Sequence, residues 1–271
     1  MRAEGRFGFM NADLWRFGAF FLAPALTLIA IAEEVAEREP LHFDRLLVPG
    51  IGPLHFEPLA VFFGVMTVIG GGIGLVALAS IAVALFLARG RFAAALFIPL
   101  ALGGAWLINR ILKGAVDRAR PEYATNPLPG NWKLILAGVI VFALVGAWPT
   151  RWRGISWLAF GSFVLIGAVD LVISKAIPLT QGLDSFPSGH AVGSMTFVAA
   201  LIAVTWRSQR RWVILAAGGM YAVIVGVSRI YFGLHYASDI FGGWLLGVAW
   251  VVLLHRMMRS RLRREAEPAA L

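Results

Sequence analysis

Three separated stretches of this chain concentrate the residue types that bind and transform anions. The first runs Lys113-Gly114-Ala115-Val116-Asp117-Arg118-Ala119-Arg120-Pro121. On a continuous helix a seven-residue separation is two turns minus about 20°, which puts Lys113 and Arg120 on one face. Pro121 disfavours helical geometry at the residue before it, so Arg120 is expected at the helix end, near water. A lysine offers a compact charge and an arginine a planar fork, a pairing suited to several oxygens of one phosphoryl group. Taken alone, the same pair also fits side chains snorkelling to a membrane interface, and Asp117 fits a simple partner for Lys113 one turn away.

The second stretch, Ser185-Phe186-Pro187-Ser188-Gly189-His190, directly precedes an apolar run. It reads as a helix start, where free backbone N–H groups favour an anion and Gly189 permits close approach. His190 then falls in the first turn beside that anion. The third stretch is Ser228-Arg229-Ile230-Tyr231-Phe232-Gly233-Leu234-His235-Tyr236-Ala237-Ser238-Asp239. His235 and Asp239 are four apart, so a helix starting near His235 brings carboxylate and imidazole together, fixing the tautomer and stabilising the imidazolium. Gly233 lets the backbone bend and return Arg229 to the same pocket. The residues by themselves thus describe an anion site with an aspartate-supported histidine.

The elements that must carry these stretches are membrane helices. The chain has 271 residues, 59% hydrophobic and 14% charged, with a mean hydropathy of +0.77, a composition that one water-soluble core of this size could hardly hide. Apolar runs near the roughly 20 residues needed to cross a bilayer predict helices over 17–34, 58–88, 92–116, 133–148, 155–177, 189–206, 211–229 and 238–257. The first lacks a cleavage pattern after it and is expected to remain as an anchor. Arginine clusters at 2–16, 89–91, 151–153, 207–211 and 256–264 all fall on one side of that count, whereas Glu33, Glu34, Glu37 and Glu39 lie on the other. The positive-inside rule then makes both termini cytoplasmic and turns the three stretches outward. The formal charge of +9 is accounted for by these clusters rather than by a nucleic-acid surface, and the basic residues from 258 to 271 read as a cytoplasmic tail.

Other features carry less. Gly70-Gly71-Gly72 lies inside an apolar run without the lysine and hydroxyl residue of a phosphate-binding loop, and predicts a kink or close packing. His42, His55 and His255 lack paired ligand spacing, and cysteine is absent, so no metal site or cofactor is expected.

The pattern Lys-x6-Arg-Pro, Pro-Ser-Gly-His and Ser-Arg-x5-His-x3-Asp resembles the type 2 phosphatidic acid phosphatase family, the lipid-phosphatase branch of the superfamily that includes vanadium-dependent haloperoxidases. The resemblance covers Lys113 to Asp239 and matches every motif position. It implies an all-α integral membrane helical bundle formed as a single domain, with a six-helix core. The apolar stretch 132–177 departs from the family pattern as a two-helix insertion between the first and second motifs. It further implies that His235 attacks phosphorus and forms a phosphohistidine, that Asp239 orients it, and that His190 protonates the leaving oxygen and later activates water. Lys113, Arg120, Ser188, Gly189 and Arg229 would hold the phosphoryl oxygens, with no metal. The implied substrate is a lipid phosphate or diphosphate such as an isoprenyl diphosphate, phosphatidate or phosphatidylglycerophosphate. A phosphotransferase using the same intermediate is an alternative. So is a lipid transporter, for which Asn109 and Asp170 inside predicted helices are the modest support.

Overall fold

The apolar runs form helices because a lipid environment leaves backbone N–H and C=O groups no partner outside their own segment. A computed structural model of the chain describes residues 15, 17–37, 41–51, 57–121 and 185–266. Among them are eight helices and no strand: α1 (Gly18–Ala36, whose first turn, Gly18–Leu22, is π-helical), α2 (His42–Ile51), α3 (Glu57–Gly70), α4 (Gly72–Leu87), α5 (Phe92–Val116), α6 (Gly189–Thr205), α7 (Arg211–Tyr231) and α8 (Ala237–Ala266). The expected insertion 132–177, with Asp170, lies outside the described residues.

Among the described residues, four helices are long and apolar enough to cross a membrane: α1, α5, α7 and α8, the last as Ala237–Glu265. A fifth crossing arises if α3 and α4 count as one broken span. The single helix expected over 58–88 is therefore two, bent by 53° at the glycine triplet. Helix α2 was not anticipated, since ten residues are too few to register as a span. The six predicted helices that fall on described residues are otherwise present, with α6 a shorter apolar helix of 17 residues. The tail expected from 258 onward begins as the last turns of α8, where Met258 and Leu262 are buried in the core.

Helix α8 is the hub, packing against α6, α5, α1 and α2. Its approach to α6 needs small residues. A Cβ on Gly243 would stand 2.8 Å from the Ala191 Cβ and 3.0 Å from the Ser188 carbonyl oxygen, and one on Gly247 2.9 Å from Thr196 Oγ1. Such close backbone contact is how helices gain dispersion energy where lipid removes the hydrophobic drive between them. One core cluster joins α4, α5, α6 and α8 around Phe97, Ile98, Phe197 and Leu254; a second joins α1, α5, α6 and α8 around Leu28, Val35, Phe186 and Leu246.

The end of the bundle away from the motifs is closed by caps in trans. The Glu265 carboxylate accepts from the first-turn amides of Ala93 and Ala94 on α5, where the helix dipole favours negative charge. Arg91 donates through Nη2 to the Val204 carbonyl oxygen at the end of α6, 2.7 Å away. These contacts hold α5, α6 and α8 in register, and the opposite ends of the same three helices carry the motifs.

Candidate active site

The third motif is built around two local structures. Helix α7 ends in a Schellman arrangement: the Leu234 amide donates to the Arg229 carbonyl oxygen at 3.0 Å and the Gly233 amide to that of Ile230 at 2.9 Å, with Gly233 at φ +62°. The chain reverses there, as the sequence predicted. Helix α8 then starts with half of a capping box, because Asp239, at its third position, accepts from the Tyr236 amide at 2.9 Å. Between these two structures His235 has little freedom. It is 2% exposed, with Nδ1 3.3 Å from Asp239 Oδ2. A carboxylate at that distance accepts the Nδ1 proton and leaves the Nε2 lone pair free.

Asp239 is fully buried, and both its oxygens are used. Oδ2 also accepts from the Ser185 hydroxyl, and Oδ1 from Arg118 Nη1 at 2.7 Å. Arg118 extends through Nη2 to Asp44 Oδ2 at 2.9 Å, and Asp44 accepts from the Ser238 amide at 2.9 Å and hydroxyl at 2.6 Å. Burial pushes the His235 imidazole down to about 4; Asp239 pulls upward, while the Arg229 and Lys113 charges push down with burial.

The first motif departs from its expected geometry. Helix α5 ends at Val116, and Asp117 takes a left-handed conformation (φ 46°, ψ 51°) with its amide on the Lys113 carbonyl oxygen at 3.0 Å. Lys113 and Arg120 are therefore not two positions on one helical face. Lys113 is buried in the last turn of α5, whereas Arg120 is exposed beyond the helix. The Lys113 charge is still felt by His235, and the Arg120 charge by Arg229. Arg229, 7% exposed, has an Nε with no hydrogen-bond partner.

The second motif enters from α6. The Ser188 amide donates to the Asp239 backbone carbonyl at 3.0 Å, which ties the start of α6 to α8. The Ser188 hydroxyl is buried without a partner. Gly189 is exposed and His190 half-buried, so the first turn of α6 offers its amides at an open mouth. Asn109, one turn before Lys113 on α5, is also buried with Oδ1 unpartnered, and its Nδ2 lies 3.5 Å from where a Cβ would stand on Gly189.

The glycine triplet supplies the last wall. A Cβ on Gly71 would lie 3.0 Å from His190 Nε2 and 3.0 Å from the Thr67 carbonyl oxygen. The kink thus brings the α3–α4 junction against the histidine. Replacing Gly71 by alanine is expected to displace His190 and, if His190 takes part in the chemistry as the resemblance implies, to lower turnover by about 10- to 100-fold. The melting temperature should change little. Steady-state kinetics beside a thermal melt of the detergent-solubilised protein checks this.

The sequence singled out His190, His235, Asp239, Lys113, Arg120, Arg229, Ser188 and Gly189. It passed over Arg118, Asp44, Ser185, Ser238 and Gly71 as parts of the site. Arg118 stood in the open, two residues before Arg120, but nothing in its spacing says that it turns inward. Asp44 carried no signal, as its neighbours here come from 74 and 194 residues away.

The profile described as "PAP2 superfamily" matches residues 92–263. The phosphatidylglycerophosphatase B of Bacillus subtilis is 36% identical over 123 residues, covering 41% of this chain and 60% of that protein. The undecaprenyl-diphosphatase of Sulfolobus acidocaldarius is 36% identical over 76 residues, covering 28% and 34%. The matches thus span less than two thirds of these relatives' own lengths. Among solved structures, a transmembrane PAP2-type phosphatidylglycerolphosphate phosphatase from Bacillus subtilis superposes with a TM-score of 0.61 at 18% identity, covering 88% of this chain and 96% of that one.

Proposed function

Since this chain belongs to the PAP2 superfamily, we propose that it is a multi-pass membrane phosphatase that hydrolyses a lipid phosphomonoester or diphosphate through a phosphohistidine on His235. The observation that carries the reading is the convergence of the Asp239-supported His235, the Lys113 and Arg229 charges and the start of α6 at one end of the bundle.

His235 Nε2, its Nδ1 proton held by Asp239, donates its lone pair to phosphorus as the bond to the leaving oxygen breaks. His190 gives that oxygen a proton. Water then attacks phosphorus as His190 takes its proton, the phosphorus–nitrogen bond breaks, and inorganic phosphate leaves with His235 neutral again. Lys113, Arg120 and Arg229, with the Ser188 hydroxyl and the first-turn amides of α6, hold the equatorial oxygens as charge redistributes. A substrate with a long apolar tail and an anionic head suits a site at the end of membrane-spanning helices, whose exposed Gly189 and Arg120 face the head. Phosphatidylglycerophosphate and an isoprenyl diphosphate are the leading candidates, since the two relatives' names carry these chemistries. By the arginine distribution the site faces outward, at the periplasmic or external leaflet of a cell membrane.

Phosphate release from a detergent-solubilised panel of phosphatidylglycerophosphate, phosphatidate and undecaprenyl diphosphate, measured from pH 3.5 to 8, tests both parts of the proposal. Release from at least one lipid is expected, and none from any would end it. The His235 value of about 4 keeps the nucleophile neutral well below pH 6.5. The acid side of kcat/KM should therefore be nearly level between pH 6.5 and 5, an interval over which an imidazole of ordinary pKa would lose about sixteenfold. An acid limb centred near 6.5 would contradict the buried geometry of His235.

A further inference from the structure

The aspartate that supports His235 is itself held by a second ion pair from a distant part of the chain. Arg118 bridges two fully buried carboxylates, with Nη1 on Asp239 Oδ1 at 2.7 Å and Nη2 on Asp44 Oδ2 at 2.9 Å. Its position is fixed on every side. Nη1 also reaches the Ser238 hydroxyl at 2.6 Å, its guanidinium lies 4.0 Å from the centre of the Tyr236 ring, and its carbonyl oxygen accepts from the Ser185 amide at 2.8 Å. Arg118 is thus committed to the protein and cannot join Arg120 on a substrate phosphate. Asp44, from α2, is equally committed, receiving both the amide and the hydroxyl of Ser238 in the first turn of α8.

The charges give this arrangement a consequence. At rest the group Asp44, Arg118, Asp239 and neutral His235 carries −1; when His235 is phosphorylated its ring becomes cationic and the four sum to zero. Without Asp44, Arg118 would turn its whole charge on Asp239, and the same group would pass from zero to +1 beside Lys113 and Arg229. Four groups this deeply buried are little screened by salt or water, so one unbalanced charge counts.

We infer that Asp44 and Arg118 are positioning residues for the reaction: Asp44 draws off part of the Arg118 charge so that Asp239 stays negative enough to support the phosphohistidine. Helix α2 therefore belongs to the active site without touching substrate. The inference rests on His235 being the nucleophile.

The test compares Asp44→Asn, the double variant Asp44→Asn/Arg118→Gln, and His235→Ala with wild type, on whichever panel lipid the wild type turns over fastest. The charged groups acting on His235 are Lys113 from α5, Arg229 from α7 and Asp239 from α8, with Arg118 and Asp44 behind Asp239. Losing that negative charge behind Asp239 should make the imidazolium less favourable. Asp44→Asn is thus expected to lower kcat by about 10- to 100-fold with KM within about threefold, and to move the acid limb to lower pH. The double variant restores the net charge and should recover most of the lost kcat and return the limb.

Wild-type kcat and limb in Asp44→Asn would overturn the inference, as would a double variant no better than the single one. Should Asp44→Asn fail to fold, the double variant decides: a folded, active double variant with the wild-type limb supports the charge balance, and an inactive or unfolded one refutes it. Full activity in His235→Ala would instead bring down the proposed mechanism. An inactive His235→Ala beside an unaffected Asp44→Asn would remove this inference alone.

Discussion

His235→Ala is expected to abolish phosphate release, by at least about 10⁴-fold, because the proposed mechanism makes His235 the covalent nucleophile and leaves no other group in the site to replace it. Its buried ring is small enough that the fold should survive the truncation, which a thermal melt can verify. The decisive measurement is chemical. Wild-type protein mixed with a lipid substrate carrying labelled phosphorus and quenched in alkali should retain the label as a phosphoramidate, which acid then releases. The alanine variant should retain none. Label that survives in the variant would move the nucleophile elsewhere, with His190 the next residue to examine.

The second large effect is expected at Arg229. This side chain is buried with its Nε unpartnered, an arrangement that costs stability unless the cation has another purpose. Arg229→Met, which keeps the length and apolar stem, should lower kcat/KM by about 10²- to 10³-fold, the usual loss for one preorganised donor to a developing anion. The melting temperature should stay level or rise, because a poorly compensated buried charge is removed. Arg229→Lys should recover only part of the activity, since an ammonium supplies charge without the planar fork. Loss of stability together with activity would make Arg229 a structural residue, and the phosphate clamp would then rest on Lys113 and Arg120.

Much of the site was legible because its signals are local. The His235–Asp239 spacing needs only one helical turn, and the capping contact from Asp239 to the Tyr236 amide reinforces it within four residues. The reversal at Gly233 is likewise a short-range structure that a glycine four residues after Arg229 announces. The helix start at Ser188-Gly189-His190 follows from a proline, a serine and a glycine ahead of an apolar run. The break at the glycine triplet was visible too, although its contact with His190 was not.

The expectation for Lys113 and Arg120 failed in an instructive way. Seven residues correspond to two helical turns only while the helix continues, and Asp117 stops it three residues early by adopting a left-handed conformation. The two cations are thus separated by a bend, with Lys113 buried and Arg120 exposed. Arg118, which the same bend turns inward, was indistinguishable in sequence from a surface arginine. Asp44 was invisible for a related reason. A carboxylate in a short amphipathic helix looks solvated until the rest of the fold closes over it.

The sequence by itself determined the membrane-helical class, the three anion-handling motifs, and the pairing of His235 with Asp239, because composition and contacts within one or two helical turns depend only on neighbouring residues. The arginine clusters already turned all three motifs to one face; the tertiary structure alone decided which of their side chains meet there, that the α3–α4 bend presses on His190, and that Asp44 and Arg118 stand behind Asp239. Those arrangements depend on how closely α6 approaches α8 across Gly243 and Gly247, and on which buried charges must find each other once water is excluded. Both are properties of surfaces far apart in the chain, and no local spacing encodes them.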